Sequence, residues 1–118
     1  MKKLIECFFF LPTRRDANLS DGELHQTDDL EWLDKQLFSL FEGGTLAPGL
    51  YRGSYRDPDT KQQVRDESYK YILAVPKTKI RQLRLLLAEA CLVFAQKCIY
   101  LSVAGQVEFV RPKNHESG

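Results

Sequence analysis

Three cysteines and two histidines are all that the chain offers toward a transition-metal site. Cys7, Cys91 and Cys98 form no C-x-x-C pair, and neither His25 nor His115 stands at ligand spacing from a cysteine, so the pattern excludes a zinc site and no metal is expected. No stretch approaches the roughly 20 apolar residues of a membrane span. The G-x-S-x-G, P-loop, G-x-G-x-x-G and H-E-x-x-H signatures are missing, which removes the motif-bearing hydrolase, nucleotide-binding and metalloprotease classes, and no cofactor is expected. Charge of one sign is missing too: the net +1 gives no overall field to draw the molecule onto DNA or an anionic membrane.

What is there fits one soluble α+β domain. A chain of 118 residues buries roughly two-thirds of its unfolded surface, and 43% hydrophobic with 28% charged residues rules out a disordered tail or a disulfide-stapled scaffold. Met1-Lys2-Lys3 followed by Leu4 to Leu11 copies the outline of a signal peptide, but Glu6 interrupts the apolar run, Pro12 and two arginines follow, and no A-x-A site appears. A buried first strand explains the run better, and the expected location is cytoplasmic. Cys7 and Cys91 then read as small buried hydrophobes in a reducing compartment, and Cys98, at a helix–strand junction, is the one thiol whose reactivity calls for a test.

Lys3 to Leu11 alternates Ile5, Cys7, Phe9 and Leu11 on one face with Leu4, Glu6, Phe8 and Phe10 on the other. A long polar connection, Thr13 to Thr27, suits a flap or functional loop. Asp28-Asp29-Leu30-Glu31 suits a capping box, Leu30, Leu33, Leu37, Leu40 and Phe41 make a helical stripe, and Gly43-Gly44 suits the helix end. Thr45 to Arg56 is a second strand region, broken by Pro48-Gly49, and Asp57-Pro58-Asp59-Thr60 is a turn. Val64 to Val75 is the third strand, with Tyr69, Tyr71, Leu73 and Val75 toward the core. Thr78 is positioned to cap a helix from Lys79 to Gln96, Cys98 to Val103 is the fourth strand, and Val107 to Val110 is a short fifth. Residues 1–110 form the expected domain and 111–118 a disordered tail.

The order β-α-β-β-α-β is the ferredoxin-like pattern: a four-stranded antiparallel sheet with both helices on one face. Its other face would carry Phe8, Phe10, Arg52, Lys70, Ile72 and Tyr100, a patch that calls for a partner. The economical partner is a second copy, giving a homodimer.

Lys77, Lys79, Arg81 and Arg84 put four cations in eight residues, at a helix N-terminus whose macrodipole they oppose. They suit a phosphate backbone; pairing with the seven carboxylates between Asp16 and Asp34 is the simpler account. Residues 1–60 hold seven basic and eleven acidic residues, residues 61–118 ten and five, so a −4 and a +5 lie behind the net +1. Phe8, Phe10, Tyr69 and Tyr71 copy the aromatics of an RNA-binding sheet, but Ser68 to Val75 lacks the glycine-rich RNP1 pattern. For catalysis the densest polar group is Arg65-Asp66-Glu67-Ser68, facing Arg52, Tyr55 and Arg56 across a hairpin. Carboxylates beside arginines are expected to be depressed in pKa and poor as general bases, so a cross-strand charge ladder accounts for them. His25, Arg52, Asp66 and Glu67 are the candidate catalytic residues.

Phe41-Glu42-Gly43-Gly44-Thr45, the hairpin glycines Gly49 and Gly53, Asp66-Glu67-Ser68 and Phe94-Ala95-Gln96 together resemble a group of small bacterial proteins of ferredoxin-like type. The resemblance runs from about Leu4 to Phe109 and implies the fold; the group has no established activity to carry over. The expected function is therefore a non-enzymatic homodimeric domain that binds a small ligand or partner protein through its sheet face or the 13–27 connection. The alternatives are a nucleic-acid-associated regulator using Lys77, Lys79, Arg81 and Arg84, and a small enzyme with its pocket between the sheet and the acidic connection.

Overall fold

The computed structural model describes residues 3–113; residues 114–118 of the expected tail lie outside it. Six strands and two helices follow one another as β1 (Leu4–Pro12), α1 (Thr27–Phe41), β2 (Thr45–Leu46), β3 (Tyr51–Arg56), β4 (Gln63–Pro76), a 3-10 turn (Lys77–Lys79), α2 (Ile80–Val93), β5 (Ile99–Val103) and β6 (Gln106–Val110). All pairings are antiparallel, in the order β2-β4-β1-β5-β6, with β3 also on β4. The class is α+β. The sheet nevertheless has six strands where the ferredoxin-like pattern has four. Pro48 and Gly49 divide the expected second strand into β2 and β3, and Gln106–Val110 pairs with β5 along five residues.

The apolar alternation of β1 is realised: Cys7, Phe9 and Leu11 are fully buried while Phe8 and Phe10 keep partial exposure on the other face. On β4, Tyr71, Leu73 and Val75 are buried, and they join Leu33, Leu37 and Phe41 of α1 and Leu83, Leu87, Ala90 and Cys91 of α2 in one core cluster. Both helices thus cover one side of the sheet.

The helix ends differ from the sequence reading. No side chain caps α1, whose N-cap is Gln26; Asp28 and Asp29 lie in its first turn, where their charge still favours the macrodipole. Glu42, not a glycine, takes the left-handed conformation at φ 65°, and its N–H donates to the Phe38 carbonyl. Gly44 is needed for closeness instead, since a Cβ there would lie 2.5 Å from Leu73 Cδ2. Thr78 makes no cap either, because the chain enters α2 through the 3-10 turn. On α2, Leu85 and Leu92 remain exposed. After β6, the Lys113 N–H donates to the Ala88 carbonyl of α2 at 3.3 Å.

One length mismatch positions the site. β4 has 14 residues and β1 only nine, and their pairing ends at Pro12 opposite Ser68. The first part of β4 therefore runs past the end of β1, carrying β3 with it as a projecting hairpin.

Candidate active site

A cleft of about 670 Å³ opens between this hairpin and the connection that leaves β1, within the size range of small-molecule sites. Arg52, Gly53 and Tyr55 of β3 and Val64, Arg65, Asp66 and Glu67 of β4 form one wall; Thr13 to Asn18 and Gly22 form the other, and Gln96 closes one end. β3 is exposed along its whole length.

The connection is ordered by its own polar side chains. Arg15 donates to both oxygens of Asp21, at 2.7 and 3.0 Å, and this pairing holds the Asp21 carboxyl down to about 2. Asp16 accepts from the Asn18 N–H through its carboxylate and from the Ser20 N–H through its carbonyl. The Thr13 N–H donates to the Glu67 carbonyl at 2.9 Å, which ties the base of this wall to β4.

The hairpin is fixed at its tip. Asp57 is buried, and its Oδ1 accepts from the N–H groups of Asp59 and Thr60, while Oδ2 accepts from Lys97 Nζ at 3.3 Å. The two amides and then Lys97 hold the Asp57 carboxyl below its ordinary value. Lys97 also reaches Asp59, again at 3.3 Å.

Three of the four candidate catalytic residues, Arg52, Asp66 and Glu67, line this cleft. Arg52 stands opposite Glu67 in register, which puts it on the side of the sheet shared by Tyr69 and not with Phe8 and Ile72 as the sequence suggested. The expected charge ladder is not formed. Among the described residues the ion pairs are Arg14–Glu23, Arg15–Asp21, Arg84–Glu108 and Lys97 with Asp57 and Asp59. Asp66 departs furthest from expectation: burial pushes its carboxyl above the usual carboxylate value, where arginine neighbours were expected to pull it down. Partial desolvation within the cleft, followed by the charges of Asp16, Asp66 and Asp57, likewise raises the Tyr55 phenol, although the residue as a whole is exposed.

His25 lies outside the cleft lining. Its Nε2 donates to the Pro12 carbonyl at 2.6 Å and its ring packs edge-on against Phe94, with centroids 4.8 Å apart. Nδ1 has no partner among the described residues, and burial lowers the imidazole pKa. Two of the four helix cations are engaged inside the chain: Lys79 Nζ donates to the Leu40 carbonyl near the end of α1, and Arg84 grips both oxygens of Glu108 at 2.7 and 3.1 Å. Their compensating groups come from α1 and β6, not from the 16–34 carboxylates. Burial raises the thiol pKa of Cys98 and pushes Cys91 up to about 12. No group of three or more His, Cys, Asp or Glu among the described residues is placed to hold a metal ion.

On the sheet face away from the helices, Phe8, Phe10 and Tyr100 are mutually in ring contact, and Lys70 Nζ lies 4.2 Å from the Phe8 ring centre. Tyr51 and Phe109 extend this cluster, and neither was picked out from the sequence.

The fold resembles that of a phage SAM lyase. The likeness to that lyase in complex with S-methyl-5′-thioadenosine has a TM-score of 0.71 at 14% identity and covers 98% of this chain and 95% of the other. The lyase in its apo state gives 0.62 at 14% identity, covering 95% and 92%. No family model and no curated protein matches the sequence. The relationship is thus a distant one of fold, and the resemblance to small bacterial ferredoxin-like proteins has no family model behind it. The expectation of a non-enzymatic binding domain is corrected by the same finding, because both structures that share the fold over nearly the whole chain are those of an enzyme. No helix among the described residues is long and apolar enough to cross a membrane.

Proposed function

We propose that the chain is a small lyase acting on an adenosyl sulfonium compound of the S-adenosylmethionine class, with the hairpin cleft as its active site. The observation that carries this reading is a cleft of substrate size with Tyr55, Asp66, Glu67 and Arg52 in its lining, on a fold shared end to end with the phage lyase. We further read the six-stranded sheet as an elaborated ferredoxin-like arrangement, with β2 and β3 as one interrupted strand and β6 as an addition.

The chemistry constrains the roles. Release of a methylthioadenosine breaks the bond between the sulfonium sulfur and the aminobutyrate Cγ, and the bonding pair stays on sulfur, which becomes neutral. Cγ needs a new electron pair. The substrate's own carboxylate supplies it by ring closure, which forms a C–O bond, yields a lactone and requires neither a co-reactant nor a proton transfer. Opposite charges are annihilated along this path, so a partly desolvated site lowers the barrier relative to water. A protein carboxylate placed against the sulfonium would stabilise the charge that the reaction removes. Asp66, the half-buried carboxylate of the pair, is therefore assigned to the substrate's ammonium group, whose charge does not change. Arg52 suits orientation of the carboxylate through the oxygen that stays outside the new ring, a positioning gain set against the charge it stabilises, and the Tyr55 ring suits the uncharged adenine.

The test is incubation of the purified chain with S-adenosylmethionine, followed by chromatography and mass spectrometry of the products. Methylthioadenosine and a lactone, or the homoserine formed by its hydrolysis, are expected to accumulate. Asp66→Asn is expected to lower kcat/KM by about 10- to 100-fold through loss of a charge-assisted hydrogen bond. The same variant is expected to be more stable than wild type at neutral pH. A carboxyl whose folded pKa is raised holds its proton more tightly when folded, so its ionisation costs stability as pH rises past the unfolded value, and the amide has no such cost. Absence of methylthioadenosine release by the wild type overturns the reading.

A further inference from the structure

The two walls of the cleft come from segments far apart in sequence, yet both are fastened to the same short turn. Between α2 and β5 the chain passes through Phe94–Cys98, with Ala95 in a left-handed conformation at φ 51°. The Ala95 carbonyl accepts from the Asp16 N–H at 2.9 Å, and Gln96 Nε2 donates to the Arg14 carbonyl at 2.8 Å. Those two bonds hold the connection wall. The next residue holds the other wall: Lys97 Nζ reaches across to Asp57 and Asp59 at the tip of the β3–β4 hairpin. Beneath the turn, Phe94 is fully buried against His25 and Trp32, so the anchor itself is set on the core.

We infer that this turn sets the width of the cleft and that Lys97 is a positioning residue for substrate binding, although its side chain does not line the cavity. Beyond the end of β1, the hydrogen bonds and ion pairs that tie the hairpin to the rest of the molecule, among the described residues, are the Thr13–Glu67 bond at its base and those of Lys97 at its tip. Without Lys97 the hairpin is a two-stranded ribbon fixed at one end, and such ribbons are marginal alone. Its swing separates Tyr55 and Asp66 from Asp16 and widens the site. A substrate that requires both walls then binds only the closed fraction of molecules, and its apparent affinity falls by that fraction. The chemical step, carried out in the closed form, keeps its rate. The inference rests on the cleft being the lyase site, and the experiment separates the two.

The variants are Lys97→Met, which keeps the aliphatic stem, Lys97→Arg, which keeps the charge, and Asp59→Asn at the exposed end of the bridge. Two readouts are taken on each: kcat and KM for methylthioadenosine release, and the rate of tryptic cleavage after Arg56 and Lys61 in the hairpin. For Lys97→Met the expected result is a KM raised about five-fold with kcat within about two-fold, together with faster cleavage at the hairpin sites. Lys97→Arg is expected to restore both, and Asp59→Asn to fall between. An unchanged KM in Lys97→Met, or equal loss of activity in the Met and Arg variants, overturns the inference. If the wild type releases no methylthioadenosine, the proposed function falls, and the cleavage rates alone then decide the anchor: faster hairpin cleavage in Lys97→Met upholds it and unchanged cleavage refutes it.

Discussion

Replacing Gly44 with alanine tests how closely the link between α1 and β2 is drawn onto β4, the strand that builds the cleft. The added Cβ would lie 2.5 Å from Leu73 Cδ2, with the Leu37 Cδ1 at 3.7 Å and the Ile72 carbonyl oxygen at 3.6 Å. Leu73 is only 2% exposed, so its methyl has no free space into which to turn. Overpacking of this kind costs about 1–3 kcal/mol. Against it stands a gain of about 0.4–1 kcal/mol, because alanine narrows the unfolded ensemble. The net expectation is a loss of about 1–2 kcal/mol, equivalent to a fall in Tm of about 4–8 °C for a chain of this length. Urea denaturation followed by circular dichroism gives the number directly. The decisive measurement is the same substitution in a Leu73→Val background, which lacks the δ-methyl that clashes. There the strain disappears, and Gly44→Ala is expected to become neutral or stabilising by up to about 1 kcal/mol. An equal cost in both backgrounds would refute the close approach as the cause.

Two further predictions concern titration and reactivity. Burial lowers the His25 pKa, so the unfolded chain binds that proton more tightly and stability falls as pH drops below the ordinary histidine value. Urea midpoints at pH 7 and pH 5 are expected to differ less in His25→Asn than in wild type, and an identical difference would show that His25 is not the group responsible. Among the thiols, Cys98 is half-buried while Cys7 and Cys91 are buried, and burial raises all three pKa values. Iodoacetamide at pH 7 is expected to modify Cys98 first, yet more slowly than a free cysteine. Mass spectrometry locates the label, and earlier modification of Cys91 would contradict the burial assignment.

The core was readable from the sequence because its signal is local. The alternation in β1 and in the second half of β4 names the buried side of each strand without reference to any partner, and the stripe Leu33, Leu37, Phe41 does the same for α1. The cleft was readable only in part. Arg52, Asp66 and Glu67 stood out as a polar cluster on a hairpin, but their environment depends on how far that hairpin outruns β1, a relation between strands some 50 residues apart. Adjacent arginines suggested a depressed carboxyl at position 66, whereas alternation turns neighbours in a strand to opposite faces and leaves burial to decide. Tyr55 is legible as a member of the hairpin but not as a residue of the cleft. Lys97 carried no local signal at all, since its partners Asp57 and Asp59 lie some 40 residues earlier.

β4 belongs to two neighbourhoods, the core from Ser68 onward and the cleft before it, with no break between them. A strand shared in this way imposes a parity rule on change. One residue inserted near Ser68 would rotate every cleft side chain of the strand to the opposite face while the core stayed in place. A pair inserted there, matched on β3, would carry Asp66 outward by one full pleat with its orientation kept. Descendants of such a chain can therefore lengthen the cleft wall in steps of two and enlarge the cavity, while steps of one turn its lining away and leave a folded protein without that cleft.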